Sequence, residues 1–432
     1  MGYRIKEESH PRHKKSRDVE NVLVMQGGGS LGAFAVGAFK ALVKHNVRID
    51  IAAGTSIGAV NAAIIVGSKT GHPEKDLEDF WMEIGESTSN IIPDIFTYDW
   101  DRHAKRYVTK KISSASANAA VFGVPKMFVP RWLQQQPQWW SWWWGDVVGG
   151  GDGNGGDGNN ESINGMMTGG NSFNPKNWTY VYDNSPLEKT LDKYIDYKKL
   201  NLAATKEELP SVLRLIITAV DVMTGKPLVF DNTQTEINAK HILASSGYPI
   251  YGFPWTKVED SVYAWDGSLL SNTPIREVLY VSPRNDKNIF IVENYPRKID
   301  RLPSNMVEVA NRYKDILFSD KDMYNIQMSK LVTRHIQLIE KLYDVFENYT
   351  DKSRIDSDEV KKIKEEYNNL IEKYGAEIKS VTRIVRSEVE SPTVLKNADF
   401  SPKTIKELID QGEKKTSEKL SYCELLNYNF NV

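Results

Sequence analysis

Ser56 stands inside Gly54-Thr55-Ser56-Ile57-Gly58, a G-x-S-x-G pentapeptide. At the tip of a tight turn a serine exposes its hydroxyl at the edge of a sheet. Glycines on either side let neighbouring chain approach where a side chain would clash. A helix that starts at the turn points its first N–H groups at the same place. This is chemistry for attack on a carbonyl carbon. The tetrahedral intermediate of acyl transfer needs donors for its oxyanion. Gly27-Gly28-Gly29-Ser30-Leu31-Gly32, a glycine-rich loop at a helix start, offers backbone N–H groups for that role, with Gly27, Gly28 and Gly29 as the candidates. The same loop has a second reading. Gly27, Gly29 and Gly32 spell the G-x-G-x-x-G of dinucleotide sites, and Asp50 lies roughly where a ribose-binding acid is expected. A nicotinamide site, however, has no need of the serine turn that follows within one βαβ unit.

The elements that position these residues are two strand–turn–helix units in series. Val22 to Met25 is a short apolar run of strand length, and Leu31, Phe34, Ala38, Phe39 and Leu42 then fall at helical spacing. Ile49 to Ala53 reads as a second strand that runs into the serine turn, and Ala59 to Val66 as the helix after it.

The pairing of Gly-Gly-Gly-x-x-Gly with Gly-x-Ser-x-Gly resembles the patatin-like phospholipase family. That resemblance implies a three-layer α/β/α hydrolase with a mostly parallel central sheet, a Ser–Asp dyad, a lipid acyl ester as substrate, and no cofactor or metal. The family's aspartate lies in a D-G-[GA] motif on a later loop, matched here by Asp266-Gly267-Ser268. Asn272-Thr273-Pro274 and the small-residue segment Leu243 to Pro249 match too, so the ordered matches run from residue 22 to 274. Two positions depart from the pattern: Leu31 replaces a basic residue common in the glycine loop, and Ser268 takes the third position of the aspartate motif. Asp266 is then the general base that accepts the Ser56 proton and returns it to the leaving group. A carboxylate near its reference pKa of about 3.9 is a weak base, so it needs a dry, apolar setting, for which Trp265 and Leu269 are the neighbours in sequence. His241 is either a third partner or a polar helical residue; the family's dyad uses no histidine.

The whole chain has 432 residues, 40% hydrophobic and 26% charged, enough for one large α/β domain with additions. A net charge of -2 argues against nucleic acid as a partner. The single cysteine, Cys423, rules out an internal disulfide, suits a reducing compartment and excludes cysteine-type zinc sites. Residues 1–20 are polar and lack the apolar core of a signal peptide. Lys6 breaks the myristoylation pattern that Gly2 suggests. The basic cluster Arg12 to Arg17 is either a solvated tail or a contact for an anionic membrane. No apolar run is long enough for a transmembrane helix. These features lead us to expect a cytoplasmic protein, either free or at a membrane surface.

Residues 72–112 read as helical, with Leu77, Phe80, Trp81 and Ile84 on one face and Asp94, Asp99, Asp101 and His103 in a polar loop that matches no common metal spacing. Trp132, Trp139, Trp140, Trp142, Trp143 and Trp144 crowd the next segment. They form a structural cluster, a lid or acyl-pocket wall, or a peripheral membrane contact. The glycine-rich run 149–160 is low complexity. Ser185 to Tyr194 reads as a helix, and Leu213 to Val220, Val262 to Trp265 and Ile289 to Val292 as strands. Beyond Pro303 long amphipathic helices are expected, with Leu331, Ile336, Ile339, Leu342, Val345 and Phe346 as one apolar stripe; a late strand over Val381 to Val385 and a capped helix from Ser401 follow.

The reading is therefore a basic tail over 1–20, a catalytic domain over 21–302 with a Trp/Gly-rich insertion around 120–178, and a mainly helical extension over 303–432. The expected activity is a serine lipid acyl hydrolase. Two rivals are an acyltransferase on the same dyad and a catalytically silent scaffold that binds membranes or partners. The sequence leaves the oligomeric state open.

Overall fold

The computed structural model describes residues 18–88, 96–101, 106–111, 114–131, 178–202, 213–282, 285–319, 321–349, 357–387 and 396–429. The tryptophan cluster, the glycine-rich run, Asp94 and His103 lie outside them.

Among the described residues one sheet of eight strands organises the fold. Its strands are β1 (Val19–Met25), β2 (Ile51–Thr55), β3 (Arg214–Asp221), β4 (Pro227–Asp231), β5 (Thr256–Glu259), β6 (Val262–Asp266), β7 (Asp286–Glu293) and β8 (Ile378–Val385). Across the sheet β8, β7, β1, β2 and β3 are all parallel. β4 and β6 run antiparallel to β3, and β5 antiparallel to β6. The chain steps from β1 outward through β2 to β3 and later returns to the other side of β1 as β7. The carboxyl end of β1 is therefore a topological switch point, where open α/β sheets form a crevice.

Side chains alternate across this sheet. Leu23, Met25, Ala52, Leu215, Ile217, Phe290 and Val292 face one helical layer, made of α1 (Ala33–Lys44), α2 (Ile57–Val66), α3 (Pro73–Thr88), a later helix Ala239–Ser246 and the C-terminal helix Pro402–Asn429. Val22, Val24, Ile51, Ala53, Ile216, Ile289 and Ile291 face the other way and pack on Ile275 and Val278 of the helix Ile275–Val281. The long helix Lys321–Tyr349 leans on that helix and on β8. The result is the expected three-layer arrangement with a mostly parallel sheet and a helical C-terminal region. α2 is buried along its whole length, which is why its sequence is apolar all round rather than striped.

Residues beyond 303 are built into this body. β8 extends the sheet, and the C-terminal helix lies directly against α1. A Cβ on Gly412 would meet the Phe34 carbonyl oxygen at 2.1 Å, so only glycine permits that approach.

One expectation needs correction. The helix ends at Thr88; residues 96–101 and 106–111 pair as an antiparallel ribbon. Phe96-Thr97-Tyr98-Asp99-Trp100-Asp101 alternates aromatic with polar residues, a period of two that suits a strand. The apolar stripe from Leu331 to Phe346 is covered only in part: Ile336 is buried, while Leu331, Leu342 and Val345 are exposed. Among the described residues no helix is long and apolar enough to cross a membrane, and no group of His, Cys, Asp or Glu could hold a metal.

Candidate active site

Ser56 and Asp266, far apart in the chain, come together through the pairing of β3. Residues 216–218 of β3 pair with β2 on one edge and β4 on the other. Ala219 and Val220 still pair with β4, but their second partner is β6. β6 therefore takes the edge that β2 vacates at Thr55. Asp266, opposite Ala219, arrives directly beyond the end of β2, where Ser56 begins the turn into α2.

That turn is strained. Ser56 has φ 57° and ψ −129°, a left-handed conformation that non-glycine residues rarely adopt. Gly54 and Gly58 make it feasible: a Cβ on Gly54 would lie 2.1 Å from the Gly58 carbonyl oxygen, and one on Gly58 2.2 Å from that of Met25. Ser245 fixes the turn, its Oγ accepting the Ser56 N–H at 3.0 Å and donating to the Thr218 carbonyl at 2.7 Å. Thr55 Oγ1 bonds Thr218 Oγ1 at 2.6 Å and donates to the Ser271 carbonyl at 3.0 Å, tying the end of β2 to the loop after Asp266.

The Asp266 carboxyl is buried. Oδ1 accepts the Ser268 N–H at 2.8 Å, while Oδ2 has no hydrogen-bond partner of ordinary geometry among the described residues. Burial pushes its pKa up to about 6, against the opposing pull of the Ser268 N–H and of the nearby Ser56 and Ser268 hydroxyls. The apolar setting does not come from Trp265, a correction to expectation. Alternation along β6 turns Trp265 away to pack on Trp255, ring centroids 6.1 Å apart. Tyr248, Phe318 and Tyr295 share the crevice with Asp266 instead.

Ser56 and Asp266 open into one crevice of about 300 Å³. Gly28 and Gly29 line it beside them, and Met127, Phe128, Leu187, Phe253 and Phe400 make its apolar walls. Gly28 and Gly29 lead the short 3-10 turn Gly29–Gly32, and the first N–H groups of a helical turn have no partner within it. Gly27 differs. Its N–H donates to the Asn272 carbonyl at 3.2 Å, so the three expected donors narrow to Gly28 and Gly29. Gly27 is needed for space, since its Cβ would meet Asn272 Oδ1 at 2.4 Å and Ser56 Cβ at 3.0 Å. Gly32 faces Ile57, and Gly267 packs on the Thr218 carbonyl.

Several supporting residues escaped the sequence reading. Gln26 is buried at the end of β1. Its Oε1 accepts the N–H groups of Asn294 and Tyr295, and its Nε2 donates to Thr273 Oγ1 and the Phe318 carbonyl. A polar residue closing an apolar strand was the available signal. Phe318 and Asn397, both beyond 303, also line the crevice, and nothing local in the sequence marks them.

His241 belongs to the helix cap. The Asn238 N–H donates to its Nδ1 at 3.2 Å and its ring packs on Phe230. Asp50 lies ahead of β2, at the end remote from the glycine loop, where its Oδ2 accepts the Asn21 N–H at 2.9 Å. A ribose acid belongs at the carboxyl end of that strand, so the dinucleotide reading fails.

A serine held in a strained strand-to-helix turn, beside a buried carboxyl and N–H groups at a helical turn, is the arrangement that acyl transfer requires. Fold and site thus define an α/β protein with a serine turn and a buried carboxyl in one crevice. The chain belongs to the patatin-like phospholipase family, whose model matches residues 23–279. It is similar to a lysophospholipase, nte1, of Aspergillus terreus, with 28% identity over a stretch that spans 22% of this chain and 9% of that protein. Among solved structures it resembles VipD from Legionella pneumophila, with a TM-score of 0.34 and 13% identity over 91% of this chain and 67% of that one. It also resembles the SpcU–ExoU complex of Pseudomonas aeruginosa, with a TM-score of 0.25 and 14% identity over 71% and 51%.

Proposed function

We propose that this protein is a serine lipid acyl hydrolase of the phospholipase A type, with Ser56 as nucleophile and Asp266 as general base. One observation carries the reading: Ser56 shares one apolar crevice with a buried carboxyl that has a raised pKa and an oxygen unpartnered among the described residues. Ser56 Oγ attacks the ester carbonyl while its proton passes to Asp266. Gly28 and Gly29 N–H groups hold the oxyanion. The intermediate collapses, the C–O bond to the alcohol breaks, and Asp266 returns the proton to that alcohol. Water, deprotonated by Asp266, then attacks acyl-Ser56, and Asp266 returns that proton to Ser56 Oγ as the fatty acid leaves.

The apolar walls suit a fatty-acyl chain, a substrate class in keeping with the name of the fungal relative. A fluorophosphonate probe tests the reading: wild type is labelled, and Ser56→Ala is not. Fatty-acid release is lost in Ser56→Ala and in Asp266→Asn. A folded wild type that neither labels nor releases fatty acid returns the scaffold reading. Transfer of the acyl group to an alcohol in place of water would appear as a new ester among the products.

A further inference from the structure

The helix Met306–Ser319 is turned inside out. Its exposed residues are Met306, Val309, Tyr313, Ile316 and Leu317, all apolar or aromatic. At these spacings they form one stripe along the helix. Its buried residues are Asp315, Phe318 and Ser319. Met306 is 77% exposed and Tyr313 64%. Leu302, just ahead of the helix, is exposed as well. The long helix Lys321–Tyr349 also exposes apolar residues, but mixed with exposed Lys330, Arg334 and Lys341. A contiguous outward apolar stripe on a soluble body marks a binding surface.

The orientation is held from within. Asp315 pairs with Lys396 at 2.5 Å. The Phe318 carbonyl accepts from Gln26 and Asn272, and its ring packs on Tyr295 and Tyr248, centroids 5.1 and 5.8 Å away. A half-turn that buried the stripe would break all of these. The same helix thus walls the crevice with one face and shows an apolar face outward.

Two cations border the stripe, Arg312 on one side and Lys314 on the other. Arg312 donates to the carbonyls of Pro296 and Arg297, neutral acceptors that leave its charge in place. Lys314 donates to Asn397 and lies 5.7 Å from the centre of the Tyr251 ring, at the crevice. Ile250, in the turn Pro249–Tyr251, is 77% exposed. An apolar stripe between basic residues is the pattern of a helix lying in the interface of an anionic bilayer, with long cationic side chains reaching the head groups.

We propose that Met306–Ser319 is the element by which this protein lies on an anionic lipid surface, setting the crevice beside the acyl chains. The inference rests on the lipid hydrolase reading for its purpose but is tested apart from it.

The experiment is flotation of the full chain with vesicles of equimolar diether phosphatidylcholine and diether phosphatidylglycerol, which carry no ester to cleave. Wild type is compared with Val309→Glu/Ile316→Glu and with Met223→Glu, a control at an exposed apolar residue in the turn between β3 and β4. Wild type and Met223→Glu float; the double variant partitions at least roughly tenfold more weakly, the scale expected when two apolar side chains cannot be buried. All three turn over a soluble short-chain ester equally, which shows that the double variant is folded. Equal flotation of the double variant overturns the proposal, as does a wild type that stays off the vesicles. So does a wild-type dimer that the double variant splits, because the face then belongs to a second copy. Failure of the wild type to cleave the soluble ester, with vesicle binding intact, would sink the hydrolase reading alone.

Discussion

Ser245 holds the backbone of Ser56: its Oγ accepts the Ser56 N–H at 3.0 Å and anchors itself to the Thr218 carbonyl at 2.7 Å. The strained conformation at Ser56 thus has a dedicated buried partner. Ser245→Ala removes it, leaving a buried N–H and a buried carbonyl unsatisfied, a loss of about 1–3 kcal/mol in stability. With the turn of Ser56, the proposed nucleophile, free to relax, we expect kcat on a soluble ester to fall about 10- to 100-fold with little change in KM. Denaturant melts and steady-state kinetics check this; an unchanged kcat would remove Ser245 from any positioning role.

The raised pKa of Asp266 sets a pH dependence. In the proposed role of Asp266 as general base, only the ionised carboxylate can take the Ser56 proton, and burial raises its pKa to about 6. In the free enzyme kcat/KM should therefore climb with pH through about 6 and level off above it. Turnover of a soluble ester from acid to mildly alkaline pH measures this, with circular dichroism to confirm folding throughout.

The same shift carries a stability consequence of opposite sense. A carboxyl whose pKa is higher folded than unfolded binds more protons in the native state between about 3.8 and 6. Its contribution to stability therefore falls as pH rises through that window. Asp266→Asn keeps an acceptor for the Ser268 N–H and removes the buried charge. It should be more stable than wild type by about 1–3 kcal/mol at neutral pH, with the gain vanishing below about pH 4, while activity is lost. Thermal melts at the two pH values decide it.

Ser268 departs from the family pattern, yet the structure shows how the loop works with it. The group that holds Asp266 is the Ser268 backbone N–H, which any residue but proline supplies; its side chain donates to Asn272 Oδ1 at 2.9 Å. Ser268→Ala should leave kcat within about threefold of wild type and cost roughly 1 kcal/mol at most. A loss of activity comparable to that of Asp266→Asn would assign the hydroxyl a direct role.

What the sequence determined by itself was local. From β1 through the glycine loop, α1 and β2 to the turn at Ser56, chemistry and structure lie within one contiguous stretch, where apolar period and glycine spacing report geometry directly. Asp266 was legible only because its motif resembles that of a known family. The rest was decided by tertiary structure. That β6 inherits the edge β2 vacates follows from the register of three strands on β3, which no periodicity encodes. That Gly27 donates to Asn272 while Gly28 and Gly29 face the crevice depends on a loop far away in sequence. Phe318, Asn397 and β8 join sheet and crevice from beyond residue 303, and Met306–Ser319 faces its apolar stripe outward because ion pair, rings and backbone acceptors anchor its other side. A helical period can say that a face is apolar; which way the face turns depends on what the remainder of the chain places behind it.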